Sequence, residues 1–368
     1  MKRYISVLLG LILIVSLAAC TSPDTPAPAA TPAAGGTATA ETTADPGERE
    51  TFRIAYVAKP LSNPLFRLLG DGMQYVVDQI NEEAGYERII FMEFDTAQAD
   101  ATIEMLEIVD TLLTQDIDAF IITPTSSFGF ADFVRTSNDR GIPVIVLDTD
   151  IDFDEMSAVG AMYDVFIGID NFAMGEAIFN AAKEDSGGEL RYILIGGFEG
   201  ASTHIDMMVG FERAKAEGPD TMVRLAYQAA NWDRNMAFEI ASALLTAHPD
   251  VEAFLCFNDQ MASGVIQALE VAGLTAGVDV LIYGSTFVGD GPQNIVDGRQ
   301  EFSISRLPFT SGMIAMEQAV RGVMGLPIEH PNMVNDHLIE LPGRVFRRGE
   351  FTIEDGRFFD LDGNEIFT

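Results

Sequence analysis

Asp118-Ala119-Phe120-Ile121-Ile122-Thr123-Pro124 has a close counterpart later in the chain, Glu252-Ala253-Phe254-Leu255-Cys256-Phe257-Asn258, and each follows an amphipathic helical segment. An acidic residue, an unbroken apolar run and a polar stop describe a strand buried on both faces, as in parallel sheets. Working outward, similar β-branched runs lie at 53–58, 89–94, 144–147, 165–169, 192–195, 223–227, 280–283 and 302–305. The segments between most of them carry apolar residues every three or four positions, which marks βα units. The series is too long for one comfortable sheet, and the repeat divides it. The expected fold class is α/β, with two similar doubly wound parallel-sheet lobes.

The 368 residues, 48% hydrophobic and 21% charged, suffice for well-buried cores and exclude a fibrous or wholly disordered chain. With 56 acidic residues against 22 Lys and Arg, the net charge of -34 opposes binding to phosphate backbones and anionic lipid surfaces. The two cysteines, Cys20 and Cys256, cannot build a disulfide framework or a thiolate zinc site. Lys2 and Arg3 precede an apolar stretch at 5–15, too short to span a bilayer stably. The stretch ends Leu17-Ala18-Ala19-Cys20, which resembles the bacterial lipobox. That resemblance implies a signal peptide over 1–19 and a lipidated Cys20 as the mature N-terminus. Removing 1–19 takes away Lys2 and Arg3 and no acid, so the charge moves from -34 to -36. Residues 21–50 hold five prolines and little that is large and apolar, so 20–50 is expected to be a disordered tether.

In open parallel sheets ligands bind beyond the carboxyl ends of the strands. There the chain places Lys59-Pro60-Leu61-Ser62-Asn63-Pro64-Leu65-Phe66, Asp148-Thr149-Asp150, Asn231-Trp232-Asp233-Arg234, Asn258-Asp259-Gln260 and Arg306-Leu307-Pro308. With these residues the chain resembles the type I periplasmic sugar-binding proteins, above all the ribose-binding branch, from about residue 52 to 341. The most specific matches are Asn63-Pro64 with its aromatic, Pro143-Val144-Ile145-Val146-Leu147-Asp148, Asp170-Asn171, Ala247-His248-Pro249-Asp250-Val251 and Asn258-Asp259.

The resemblance implies a clamshell joined by a three-segment hinge near Ile169-Asp170, Arg306-Leu307 and Asp336-His337. Residues 51–169 and 307–336 would form the N-terminal lobe, and 170–306 and 337–368 the C-terminal lobe. Asn63, Phe66 and Asp148 would face the cleft from the first lobe, and Trp232 and Asn258 from the second. Carboxylate and amide groups suit adjacent sugar hydroxyls, and aromatic faces suit the C–H face of a pyranose. The chain departs from the ribose-binding pattern at Thr149 and Met207, where arginines are expected, at Thr286 for an aspartate and at Arg306 for a glutamine. Lys59 and Asp206 have counterparts in autoinducer-2-binding relatives, and Lys59 also in arabinose-binding ones. These eleven residues are the candidate ligand-binding set. Lys59 and Arg306 mark either an anionic or strongly polar group on the ligand or partners for Asp148 within the cleft. The implied protein is a monomeric, lipid-anchored solute-binding protein that hands a monosaccharide-like ligand to an ABC permease and ATPase. The alternative is a sensory binding protein, for a sugar or autoinducer-2, that signals to a membrane receptor.

No catalytic constellation competes with this reading. The four histidines, His204, His248, His330 and His337, show no metal-ligand pair at helical spacing, and no nucleophile elbow or phosphate loop follows a strand. No cofactor is expected. The Asp148, Asp150, Asp152 run lacks the glycine and distal glutamate of a calcium loop, so no metal is expected either, and Asp-Gly turns in a terminal hairpin account for 360–365. A DNA-binding regulator built on the same lobes is set aside because the leader and tether stand where a helix-turn-helix would be.

Overall fold

The computed structural model describes residues 50–354, 357–362 and 365–366; the leader, Cys20 and the tether up to residue 49 lie outside them. The first half of the chain runs β1 (Phe52–Ala58), α1 (Pro64–Ala84), β2 (Ile89–Asp95), α2 (Thr102–Leu113), β3 (Ala119–Ile122), α3 (Ala131–Arg140), β4 (Val144–Leu147), α4 (Phe153–Val159) and β5 (Val165–Ile169). It continues with α5 (Asn171–Asp185), β6 (Leu190–Gly196), α6 (Ser202–Ala216), β7 (Met222–Ala229), α7 (Arg234–Ala247), β8 (Ala253–Cys256), α8 (Asp259–Val271), β9 (Leu281–Tyr283), α9 (Gly291–Val296) and β10 (Phe302–Ser305). Helix α10 (Pro308–Val323) then leads to β11 (Met333–Asn335), β12 (Leu338–Leu341), β13 (Arg344–Arg347), β14 (Phe351–Glu354), β15 (Arg357–Asp360) and β16 (Glu365–Ile366).

Two sheets carry the lobes. The first has the order β11-β12-β5-β4-β3-β1-β2 and the second β13-β10-β9-β8-β6-β7. Each is parallel except at one edge, where β11 pairs antiparallel with β12 and β13 antiparallel with β10. Every residue of β3, β4 and β8 is buried, because helices cover both faces of the sheet. The expected two-lobe α/β fold is therefore present. The repeated runs at 118–124 and 252–258 contain β3 and β8, which both lie inside their sheets.

The helices begin where polar residues close the strands. Asn63 caps α1 by accepting from the Leu65 N–H, with Pro64 preset for the first turn. Asp170, Asp233 and Asn258 do the same for α5, α7 and α8. Each lobe also contains a helix pair that crosses on reciprocal glycines. A Cβ on Gly72 of α1 would overlap the Phe309 carbonyl of α10, and one on Gly312 would overlap that of Leu69. In the second lobe Gly175 of α5 meets the Met207 carbonyl of α6, and Gly210 meets that of Phe172.

The chain passes between sheets after β5, after β10 and again between Leu341 and Arg344. The last passage corrects the expected crossing at Asp336-His337 and the lobe boundary placed there. β12 pairs in parallel with β5, Leu338 to Leu341 against Phe166 to Ile169, so 337–341 completes the first sheet. Alternating short strands such as Leu338–Leu341 do not announce in sequence which edge they will join. Beyond β13, the sheet β14-β15-β16 covers the second lobe through Phe287, Phe346, Phe351 and Phe358. Among the described residues no helix is long and apolar enough to cross a membrane.

Candidate functional site

A small pocket lies where the carboxyl ends of both sheets face each other. Lys59, the residue after β1, is 2% exposed, and its backbone N–H is held by Thr123 Oγ1. Its Nζ donates to Asp148 Oδ2 at 3.0 Å and to Thr149 Oγ1 at 2.6 Å, and lies 5.3 Å from the centre of the Phe66 ring. Arg306, at the second passage between sheets, places Nη2 3.1 Å from Asp148 Oδ1. Its Nη1 donates to Asn171 Oδ1 at 3.0 Å, at the start of α5. One aspartate thus takes a cation on each oxygen. Burial alone would raise the Asp148 carboxyl, but Lys59 and then Arg306 outweigh it and hold the group below its ordinary range. Burial likewise pushes the Lys59 ammonium down, against the pull of Asp148.

Backbone geometry aims several of these side chains. Asp148, Trp232 and Thr286 have φ of 63°, 65° and 94°, a region that favours glycine and that an aspartate tolerates better than a tryptophan or threonine. Thr286 and Phe287, both left-handed, belong to a loop anchored on Asp259. That carboxylate is wholly buried and receives Gln300 Nε2 at 2.7 Å and Ser303 Oγ at 2.8 Å, while Ser303 Oγ also accepts from the Phe287 N–H. Burial pushes the Asp259 carboxyl up to about 7. Thr286 Oγ1 is buried and finds no hydrogen-bond partner among the described residues. Asn258 uses Oδ1 as the α8 cap and points Nδ2 toward the Trp232 carbonyl at 3.4 Å. Trp232 lies over Gly197, where a side chain would collide with the indole. Behind it His204 accepts from the Gly197 N–H on Nδ1 at 3.1 Å, and burial lowers its affinity for a proton.

Of the eleven candidate residues, Lys59, Asn63, Phe66, Asp148, Trp232, Asn258, Thr286 and Arg306 meet in this pocket. Three do not. Thr149 is fully buried behind Lys59 and orients its ammonium. Met207 is 1% exposed in the second lobe's core, with its carbonyl against Gly175. Asp206 lines a separate cavity of about 700 Å³ with Asp150 and Asp170. The reason is helical rise: Thr203, in the first turn of α6, reaches the pocket, whereas 206 and 207 lie about one turn, roughly 5 Å, farther down. Thr203 was not anticipated, nor were Leu65 and Phe257, which look in sequence like ordinary apolar residues of a helix and a strand end.

The space within the pocket is only about 30 Å³, about the volume of one water, and is partly open. It adjoins a mouth of about 400 Å³ that shares Asn63 and Trp232. As the lobes stand, the inner space is too small for a ring-sized molecule. They are joined directly near the pocket. The Ser127 N–H donates to the Gly200 carbonyl at 3.0 Å, the Ser202 N–H to Ser127 Oγ at 2.9 Å, and the Asp150 N–H to Ser202 Oγ at 2.8 Å. Asn231 Nδ2 reaches Asp100 Oδ2 at 2.9 Å at the mouth.

Residues 54–326 match the family model of the periplasmic binding protein domain. The chain is 30% identical over 276 residues to the ribose import binding protein of Escherichia coli, covering 75% of this chain and 86% of that one. It is 27% identical over 272 residues to the D-allose-binding periplasmic protein of the same organism, covering 72% and 83%. Among solved structures, an ABC transporter periplasmic solute-binding protein from Actinobacillus succinogenes with bound D-allose superposes with a TM-score of 0.72 at 26% identity, covering 81% of this chain and 98% of that one.

Proposed function

Since the chain belongs to the type I periplasmic sugar-binding proteins, we propose that it captures a monosaccharide or similar small polyhydroxylated solute between its lobes and delivers it to an ABC importer. The family works outside the cytoplasm. Here Cys20 would carry a lipid that holds the protein at the membrane surface, with 20–50 as the connection to the lobes.

The observation that carries the reading is the convergence of both lobes on one pocket. Phe66 of the first lobe and Trp232 of the second line it, and beside them stand the polar side chains of Asn63, Asn258, Thr286 and the Lys59, Asp148, Arg306 group. Contacts made by both lobes to one solute stabilise the closed arrangement over the open one. A thermal-shift panel of pentoses, hexoses, deoxyhexoses, sugar acids, amino acids and nucleosides tests it. A true ligand at a hundred times its Kd adds about 2.7 kcal/mol and raises the midpoint by a few degrees. A shift with an amino acid or nucleoside, and with no carbohydrate, refutes the proposal. Loss of membrane fractionation in Cys20→Ser checks the anchor; retention there refutes it.

A further inference from the structure

The pocket holds more positive charge than its carboxylate can neutralise. Lys59 and Arg306 are buried and both contact Asp148, and among the described residues no other Asp or Glu lines the pocket. The neighbouring acids are engaged elsewhere: Asp259 is turned into the second lobe onto Gln300 and Ser303, Asp150 and Asp206 line the separate cavity, and at the mouth Asp100 accepts from Asn231 and Asp233 caps α7. Two cations on one aspartate leave one unit of positive charge in a desolvated site, within a chain whose overall charge is -34. An unpaired buried charge is costly, and a ligand that pairs it recovers that cost on binding. The donor count points the same way. An ammonium and a guanidinium offer eight N–H groups between them. Beyond Asp148 the acceptors they meet are Thr149 Oγ1, Asn171 Oδ1 and Met174 Sδ. Thr286 Oγ1 adds a hydroxyl without a partner on the same pocket.

Resting on the carbohydrate reading above, we infer that the solute is a monoanionic sugar derivative, a sugar acid whose carboxylate completes the neutralisation of the Lys59, Asp148 and Arg306 group. Its remaining hydroxyls meet Asn63, Asn258 and Thr286, and its C–H face meets Phe66 or Trp232.

Isothermal titration calorimetry of the full chain against matched probes tests this: D-galactose with D-galacturonate, D-glucose with D-glucuronate, and D-ribose with D-ribonate. In at least one pair the acid should bind about tenfold or more tightly than its neutral counterpart. In Arg306→Gln and in Lys59→Met, each of which brings the group to zero net charge, that ratio should fall to within about threefold. The wild-type ratio decides the matter even where a variant fails to fold. Neutral sugars binding as tightly as, or more tightly than, their acids in every pair would overturn this inference alone. So would an acid preference that survives both substitutions in folded protein. Absence of binding by every member of all three pairs would overturn this inference, and the carbohydrate reading would fall with it only if the wider thermal-shift panel also found no carbohydrate.

Discussion

Asp148 and Trp232 show how much of the site depends on single backbone conformations. Both are left-handed, at φ 63° and 65°, and a relaxed backbone would aim each side chain elsewhere. Their residue types and places after strand ends are plain in the sequence. That Asp148 meets both Lys59 and Arg306 is not, because the three residues come from widely separated segments. Trp232 is the sole tryptophan of the chain, so intrinsic tryptophan emission reports one position. It borders both the pocket and the mouth. Ligand should therefore shift or quench emission saturably. Trp232→Phe should retain much of the affinity because an aromatic face remains. Trp232→Ala should lose roughly 1 to 3 kcal/mol, about five- to more than a hundredfold in Kd, in line with aromatic anchors in desolvated pockets. Calorimetric binding with unchanged emission, undiminished in the alanine variant, would place the indole outside the contact.

At the scale of elements, the polar stops have two tasks. Asn63 and Asn258 were chosen from the sequence as ligand groups, yet each has its Oδ1 engaged as a helix cap, and the Asn258 amide nitrogen points toward the Trp232 carbonyl. Capping also explains why these residues stand where they do, since a strand that turns into a helix needs an acceptor for its first N–H groups. The reciprocal glycines of α1 with α10 and of α5 with α6 were not legible. A lone glycine within a helical pattern does not reveal which carbonyl will press on it. Gly210→Ala would drive Cβ into the Phe172 carbonyl, so the helices must separate. We expect a loss of about 1 to 3 kcal/mol, typical of overpacking. In urea the midpoint should fall with the m-value unchanged. A midpoint equal to the parent's would show that the crossing has slack.

For the whole molecule, the decisive property is the balance between open and closed lobes. The bonds of Ser127 to Gly200 and Ser202, and of Ser202 to Asp150, favour closure without touching the solute. Each is worth about 0.5 to 1.5 kcal/mol net. Ser127→Ala or Ser202→Ala should thus weaken apparent affinity by about two- to tenfold, chiefly through faster dissociation. Stopped-flow emission from Trp232 would measure it; unchanged dissociation in both variants would mean these bonds reform with water at no cost. Legible in consecutive residues were the class of fold, the strands β1 to β10, the passages after β5 and β10 and eight of the residues that share the pocket. The reason is that burial on both sheet faces and the strand-to-helix turn are local demands. Only the folded chain shows that β12 joins β5, that Thr203 stands at the pocket in place of Asp206 and Met207, and that both cations, not one of them, pair with Asp148. Those outcomes depend on distances between segments remote in sequence, which no local pattern encodes.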